Sequence, residues 1–347
     1  MVAGVGLVVA AAVAVGDGGN RSMNEENYMK SRIAVVGWNK LYASLLVALF
    51  GAVTAFSQAS SGAPLAAQKT FATPQQAVDA LVQAAASYDL SSLEQILGPG
   101  SENILTSGDT VRDKNNAAGF AAKARQKNEV TVNPKNPKLA TLSVGDDDWP
   151  LPIPLVQKSG KWSFDTKAGR EEILRRRIGS NELDAIEICR GYVDAQREYA
   201  MEKRDNAEVN QYAQRVISSP GKHDGLVWWE PDGSLGGPVA EGIAKALQEG
   251  YSDKSQPYHG YYFKILKGQG PAAPLGEMNF VVGGAMIGGF ALAAAPSDYR
   301  VTGVQTFIVS HEGIVYQKDL GPDTLKEFGK LVLYNPDKTW RSTNDNW

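Results

Sequence analysis

Residues 171–199, EEILRRRIGSNELDAIEICRGYVDAQREY, divide the chain into two kinds of sequence. Before them stand capped helical segments and then alternating strands. After them comes a stretch rich in glycine and aromatic residues that turns strand-like. The stretch itself has helical spacing, with Leu183, Ile186, Cys189 and Val193 on one face. Glu187/Arg190 and Asp194/Arg197 are oppositely charged neighbours on the helix surface. Gly179 is expected to interrupt the helix, with Ser180 or Asn181 capping its continuation. A long helix here opens a second domain, and the chain reads as α+β.

Upstream, Thr73-Pro74-Gln75-Gln76 has the form of a helix start: a capping threonine, proline in the first turn, and a glutamine able to reach back. Ser91-Ser92-Leu93-Glu94 repeats the capping pattern, Gly98-Pro99 stops that helix, and a third helix is expected over residues 114–126. Strands follow at residues 129–132, 139–144, 150–157 and 161–164, the last two joined by a turn at Lys158-Ser159-Gly160-Lys161. Pro150, Pro152 and Pro154 suit an edge strand, because proline cannot donate to a ladder. Helices followed by a curled antiparallel sheet resemble the cone-shaped fold of nuclear transport factor two and its relatives, which says little about activity.

Downstream, residues 258–266, 301–310 and 314–318 read as strands, the last two around a turn at His311-Glu312-Gly313. Residues 328–333 form a last helix or strand. Residues 279–295 are apolar but a little short of the roughly 20 needed to span a bilayer. They contain Gly283-Gly284 and Gly288-Gly289, without the lysine ending of a phosphate loop or the spacing of a dinucleotide fingerprint. These glycines are expected at bulges or a tight turn.

The N-terminus sets the expected compartment. Residues 29–59 have the plan of a secretory signal: Lys30, Arg32 and Lys40, then the uncharged run LYASLLVALFGAVTAF at 41–56, then the small residues Ser57 and Ala59. Residues 1–28 read as an over-extended start and 60–69 as a linker. Two folded domains follow, at 70–167 and 168–347. The expected location is periplasmic or secreted, with membrane contact only through the N-terminal segment if it stays uncleaved.

Composition narrows the function. The 347 residues are 43% hydrophobic and 21% charged, with a net charge of -3. No basic stripe with interleaved aromatics points to nucleic acid, and Arg175-Arg176-Arg177 follows Glu171-Glu172 as a solvated helix face would. The single cysteine, Cys189, excludes an intramolecular disulfide and a cysteine-built zinc site. It sits on the apolar stripe and reads as a buried, inert thiol.

Several segments carry a resemblance. They are Asp148-Trp149-Pro150, Trp162-x-Phe164-Asp165, Arg176-Arg177-Ile178-Gly179-x-Asn181-Glu182, Asp194-Ala195-Gln196-x-Glu198-Tyr199, Tyr258-His259-Gly260-Tyr261-Tyr262, Gly289-Phe290-Ala291-Leu292 and Val315-Tyr316-x-Lys318-Asp319-Leu320-Gly321. Together they resemble the exported bacterial family named domain of unknown function 2950, which implies no particular activity. The resemblance departs at Tyr299-Arg300, where glycine is expected after the tyrosine. The long helix with its meander, ending Thr302-Gly303-Val304-x-Thr306-Phe307-Ile308-Val309, is weakly similar to the globular half of type IV pilin-like proteins.

Candidate chemistry is sparse. Of the three histidines, His311 is expected to be exposed in its turn, and His259 among aromatics is the most site-like. No Gly-x-Ser-x-Gly elbow and no His-Glu-x-x-His spacing is present. If the protein is an enzyme, the candidates are His259, Glu230 and Asp319, with Glu230 and Asp319 as a carboxylate pair. Trp149, Trp228, Trp229, His259 and Tyr261 are the binding candidates, and the tryptophans suit stacking on a sugar. Asp146-Asp147-Asp148 lacks the alternating ligands of a calcium loop and reads as a solvated turn. The reading is a non-enzymatic envelope protein without cofactor or metal, acting by binding or assembly on a protein or glycan partner. The alternative is a periplasmic hydrolase or ligand-binding protein acting on cell-wall or polysaccharide material.

Overall fold

The computed structural model describes residues 68–251 and 256–343. The over-extended start, the signal segment and most of the linker lie outside the described residues. The described chain is mixed α+β, with antiparallel sheets and two hydrophobic clusters.

The first cluster is built by residues 77–164. Helices α1 (Pro74–Ser87), α2 (Leu90–Leu97), α3 (Glu102–Leu105) and α4 (Thr110–Gln126) come first. Thr73 caps α1 by accepting from the Gln76 N–H, while the Gln76 side chain reaches back one residue further, to the Ala72 N–H. α2 starts earlier than the Ser91 pattern suggests, because Asp89 is its cap and accepts from the Ser92 N–H. Likewise Asp109 caps α4, which begins before the expected Lys114. Strands β1 (Asn128–Val132), β2 (Leu139–Val144), β3 (Trp149–Pro150), β4 (Leu155–Lys158) and β5 (Lys161–Phe164) form one antiparallel sheet. The expected strand at 150–157 is broken between β3 and β4, where Pro152 and Pro154 withhold donors. Lys158 pairs with Lys161 across a two-residue turn in which Ser159 and Gly160 both take positive φ, as the turn chemistry requires. Asp147 and Asp148 pair with Lys123 and Lys127 at the surface.

α5 (Thr166–Tyr199) is a single helix of 34 residues, and Gly179 does not interrupt it. One exposed glycine costs a helix about 1 kcal/mol, and α5 is held on both sides of it. Leu174 is buried on its first half, and Ala185, Ile188, Cys189, Tyr192, Val193 and Tyr199 are buried in the second cluster. Leu183, expected on that face, is 65% exposed; the buried stripe passes through Asn181 and Ala185 instead. Cys189 is fully buried, and desolvation pushes its thiol up to about 12, which makes it unreactive at neutral pH.

The second cluster covers α5 with a five-stranded antiparallel sheet. Its order is β16 (Arg341–Ser342), β15 (Val315–Asp319), β14 (Gln305–Ser310), β13 (Ala291–Pro296) and β8 (Tyr261–Leu266). Short ribbons flank it: β6 (Trp228–Trp229) with β7 (Leu235–Gly236), β9 (Gly268–Gln269) with β10 (Met278–Asn279), and β11 (Val281–Val282) with β12 (Ala285–Met286). The apolar run at 279–295 is thus cut into strands, and Gly283-Gly284 form the tight turn between β11 and β12, both at positive φ. Among the described residues no helix is long and apolar enough to cross a membrane. Helix α6 (Ala240–Glu249) has no counterpart in the sequence reading, and α7 (Thr324–Lys330) overlaps the expected last element only at residues 328–330, with 331–333 neither helix nor strand.

Candidate functional site

Where the two clusters meet, polar side chains from α4, α5, α6 and one turn converge. The turn is Tyr258-His259-Gly260-Tyr261, closed by paired bonds between Tyr258 and Tyr261. His259 and Gly260 both take positive φ, the geometry of a two-residue hairpin turn. Glycine is demanded twice over at 260, since a Cβ there would stand 2.6 Å from Asn181 Nδ2 and 2.9 Å from Thr302 Cβ. The turn presents the imidazole outward, stacked on the Tyr258 ring at 4.1 Å.

Each ring nitrogen of His259 meets a carboxylate. Nδ1 lies 2.9 Å from Asp184 Oδ2 and Nε2 lies 3.3 Å from Glu249 Oε2. Arg112 Nη1 donates to the same Asp184 oxygen at 2.8 Å, and its Nη2 donates to Ser180 Oγ. Burial pushes Asp184 up, but the hydrogen bonds and charges of His259 and Arg112 outweigh it and hold the carboxyl below its ordinary range. Beneath this layer Asp109 is almost wholly buried. It accepts from the Tyr251 hydroxyl at 2.8 Å and the Gly260 N–H at 3.0 Å while capping α4. Burial and the neighbouring Asp109 charge push the Tyr251 phenol well up. These bonds tie the first cluster's helix to the second cluster's turn.

Beside this network, and sharing Arg112 with it, lies a cavity of about 400 Å³. It is half open to solvent and bordered by α1, α2, α3, α4, Trp149 of β3 with the segment after it, and the first half of α5. Its wall is apolar, with Leu81, Leu93, Leu97, Phe120, Ile153 and Ile173 facing in. Its polar side chains are Tyr88 at the end of α1 and, on α4 and α5, Arg112, Asp113, Asn116, Arg176, Arg177, Ser180 and Asn181. Arg177 donates to the carbonyls of Asn103 and Ile104, closing the end of α3. Asp113 accepts from the Ser107 N–H at 2.7 Å and hydroxyl at 2.8 Å; desolvation still pushes its carboxyl up, and desolvation lowers Arg177. Arg176 lies over the Trp149 ring, 5.2 Å from its centre.

The residues singled out in the sequence are not gathered in one place. His259 is in the junction network, and Trp149 lines the cavity. Trp228 is buried, donates to Glu230 Oε1 at 2.7 Å and has the Arg204 guanidinium over its ring; Trp229, on the opposite side of β6, is 61% exposed. Tyr261 is wholly buried and donates to the Gln305 carbonyl. Asp319 lies at the end of β15, accepting from Tyr299 and the Gly321 N–H, so it shares no partner with Glu230. His311, expected to be exposed, packs its ring edge against Phe280 and Phe290. Among the described residues no cluster of His, Cys, Asp or Glu is placed to hold a metal. The sequence reading missed Asp109, Arg112, Asp184, Glu249 and Tyr251. The one local signal was Asp109 after Gly108, a cap before a helix.

Fold and site define a mixed α+β protein with an apolar cavity beside a charged junction. Residues 68–343 match the family DUF2950, whose description is protein of unknown function, and the chain belongs to that family. No curated protein and no solved structure matches the chain significantly.

Proposed function

We propose that this is an exported envelope protein that acts by binding, and that its first half holds a small apolar molecule in the cavity. The observation that carries this reading is the cavity itself. About 400 Å³ walled largely by leucine, isoleucine and phenylalanine, with most of its polar side chains on α4 and α5, has the size and chemistry of a small-molecule site. Ile104, Leu105, Ala117, Phe120 and Ile173 stay only half-buried around it, which protein side chains at native density would not leave undone.

A binding role is also favoured over a hydrolytic one by His259. Both of its ring nitrogens are engaged by carboxylates, which leaves neither to activate a nucleophile. Sugar stacking draws little support, because Trp228 is buried and Trp149 belongs to the other cluster. The export reading rests on the uncharged run at 41–56 with its basic start and small-residue end. α5 and its meander supply, in this reading, a pilin-like platform for a protein partner.

Pyrene, whose emission reports the polarity around it, tests the cavity. It should bind the full chain in an apolar environment, and Ala117→Trp, which fills the space from α4, should abolish that binding without unfolding the protein. Equal uptake by both proteins would remove the reading.

A further inference from the structure

We infer that the cavity's occupant ends in a carboxylate: a hydrocarbon body with a singly charged anionic head set against Arg177. This rests on the binding reading above and deepens it by naming the chemistry of the polar end. The charges on the lining, and the way their partners are shared out, carry it.

The charged side chains on the lining are Arg112, Arg176, Arg177 and Asp113, three guanidiniums to one carboxylate. The carboxylates behind that wall are divided among several donors. Glu172 takes Arg175 at 2.7 Å as well as Arg176 at 2.8 Å, so one negative charge serves two cations. Asp184 Oδ2 takes both Arg112 at 2.8 Å and His259 Nδ1 at 2.9 Å. Glu249 faces His259 and Lys245, and Asp109 is spent on Tyr251 and Gly260 at the junction.

Arg177 is left with least. Among the described residues it forms no ion pair. It donates to the carbonyls of Asn103 and Ile104, and those two bonds leave the rest of its five N–H groups unspent. Asp113 acts on it only through the field, with both oxygens taken by Ser107. Desolvation also pushes the Asp113 carboxyl up, toward its uncharged form, so it is a poor counter-ion. A guanidinium drawn out of water is as a rule paired, because leaving it alone is costly. Arg177 lines the cavity, so a partner reaches it from there. The two oxygens of a carboxylate match the planar fork of a guanidinium. A cationic head would meet three guanidiniums, and a hydroxyl would fill a donor without answering the charge. A phosphate dianion would bring a second negative charge up to Asp113 on the same wall. The apolar side chains take the hydrocarbon, worth about fourfold in affinity per buried methylene.

Displacement of pyrene from the full chain by decanoate, decanol, decyl phosphate and decyltrimethylammonium tests the inference, since the four share one tail. At about pH 8 the carboxylate is ionised. Decanoate should compete about tenfold more tightly than decanol, the equivalent of about 1.4 kcal/mol, and the ammonium most weakly. Hydration alone sets the opposite order for decanoate and decanol, because an ion gives up more on leaving water than an alcohol does. Arg177→Met keeps an unbranched side chain without its charge, and should bring decanoate to the level of decanol or below. Decanol or the ammonium competing as well as decanoate, or an Arg177→Met protein that keeps the preference, would overturn the assignment and leave the cavity reading standing. Decyl phosphate ahead of decanoate would overturn the single charge of the head. Failure of pyrene itself to bind would remove the cavity reading first. If Arg177→Met loses pyrene as well, the decanoate-to-decanol ratio on the unaltered protein decides.

Discussion

Gly260→Ala probes the junction directly, because the substitution adds one methyl group at a point where two clusters meet. Gly260 has a φ of +77°, a conformation that costs a non-glycine residue about 1–2 kcal/mol. The added Cβ would also stand 2.6 Å from Asn181 Nδ2 and 2.9 Å from Thr302 Cβ. Neither neighbour gives way cheaply: Thr302 is fully buried and β-branched, and Asn181 is held by its bond to the Thr302 carbonyl. Overpacking of this kind adds roughly 1–3 kcal/mol. The expected total is about 2–5 kcal/mol, or roughly 4–20 °C in the midpoint of thermal unfolding at 2–4 °C per kcal/mol. Gly283→Ala is the control. It too has positive φ, +58°, but nothing lies within 4 Å of its Cβ, so only the backbone cost remains. Thermal unfolding followed by circular dichroism should show Gly260→Ala the more damaging by the packing increment. Equal losses at the two positions would refute the close approach of the turn to α5.

Asp184→Asn should destabilise the protein at neutral pH, and the deficit should shrink under acid. A carboxyl held below its ordinary value by His259 and Arg112 contributes stability above about pH 4, and that contribution fades as pH falls through the folded-state value. Unfolding midpoints of the two proteins across pH 3–7 check the sign; a gap that widens on acidification contradicts it. Arg300, where the family resemblance expects glycine, has a φ of +63°. Arg300→Gly should raise thermal stability by up to about 1 kcal/mol, and a loss would show that the turn prefers its side chain. Export is checked by sequencing the N-terminus of protein recovered from cell fractions. A start between residues 58 and 60 in the envelope is expected, and an intact chain in the cytosol contradicts it.

Local chemistry was legible in the sequence where a few adjacent residues decide the outcome. Ser159-Gly160, Gly283-Gly284 and His311-Glu312-Gly313 all form the turns their composition demands. Thr73-Pro74 starts its helix for the same reason. Reading failed where distant packing overrides a local signal. Gly179 looks like a stop, but α5 is clamped by a hydrophobic cluster at each end, so the glycine is carried through. α6 was missed because its apolar face is short, little more than Ile243 and Ala246, and lies between glycines. His259 was the correct histidine to single out for the junction, yet its partners were invisible. Asp184 is 75 residues away and Asp109 meets Gly260 across 151. The cavity left no trace at all, since Leu81, Leu93 and Phe120 have the same spacing whether they touch across a core or stand apart around a ligand.

The binding account is tested most directly by a crystal structure of the protein grown with decanol carrying a terminal bromine. Anomalous scattering should place the bromine between Leu93, Phe120 and Ile173. Side chains closing that space, or bromine bound only elsewhere, would contradict the account.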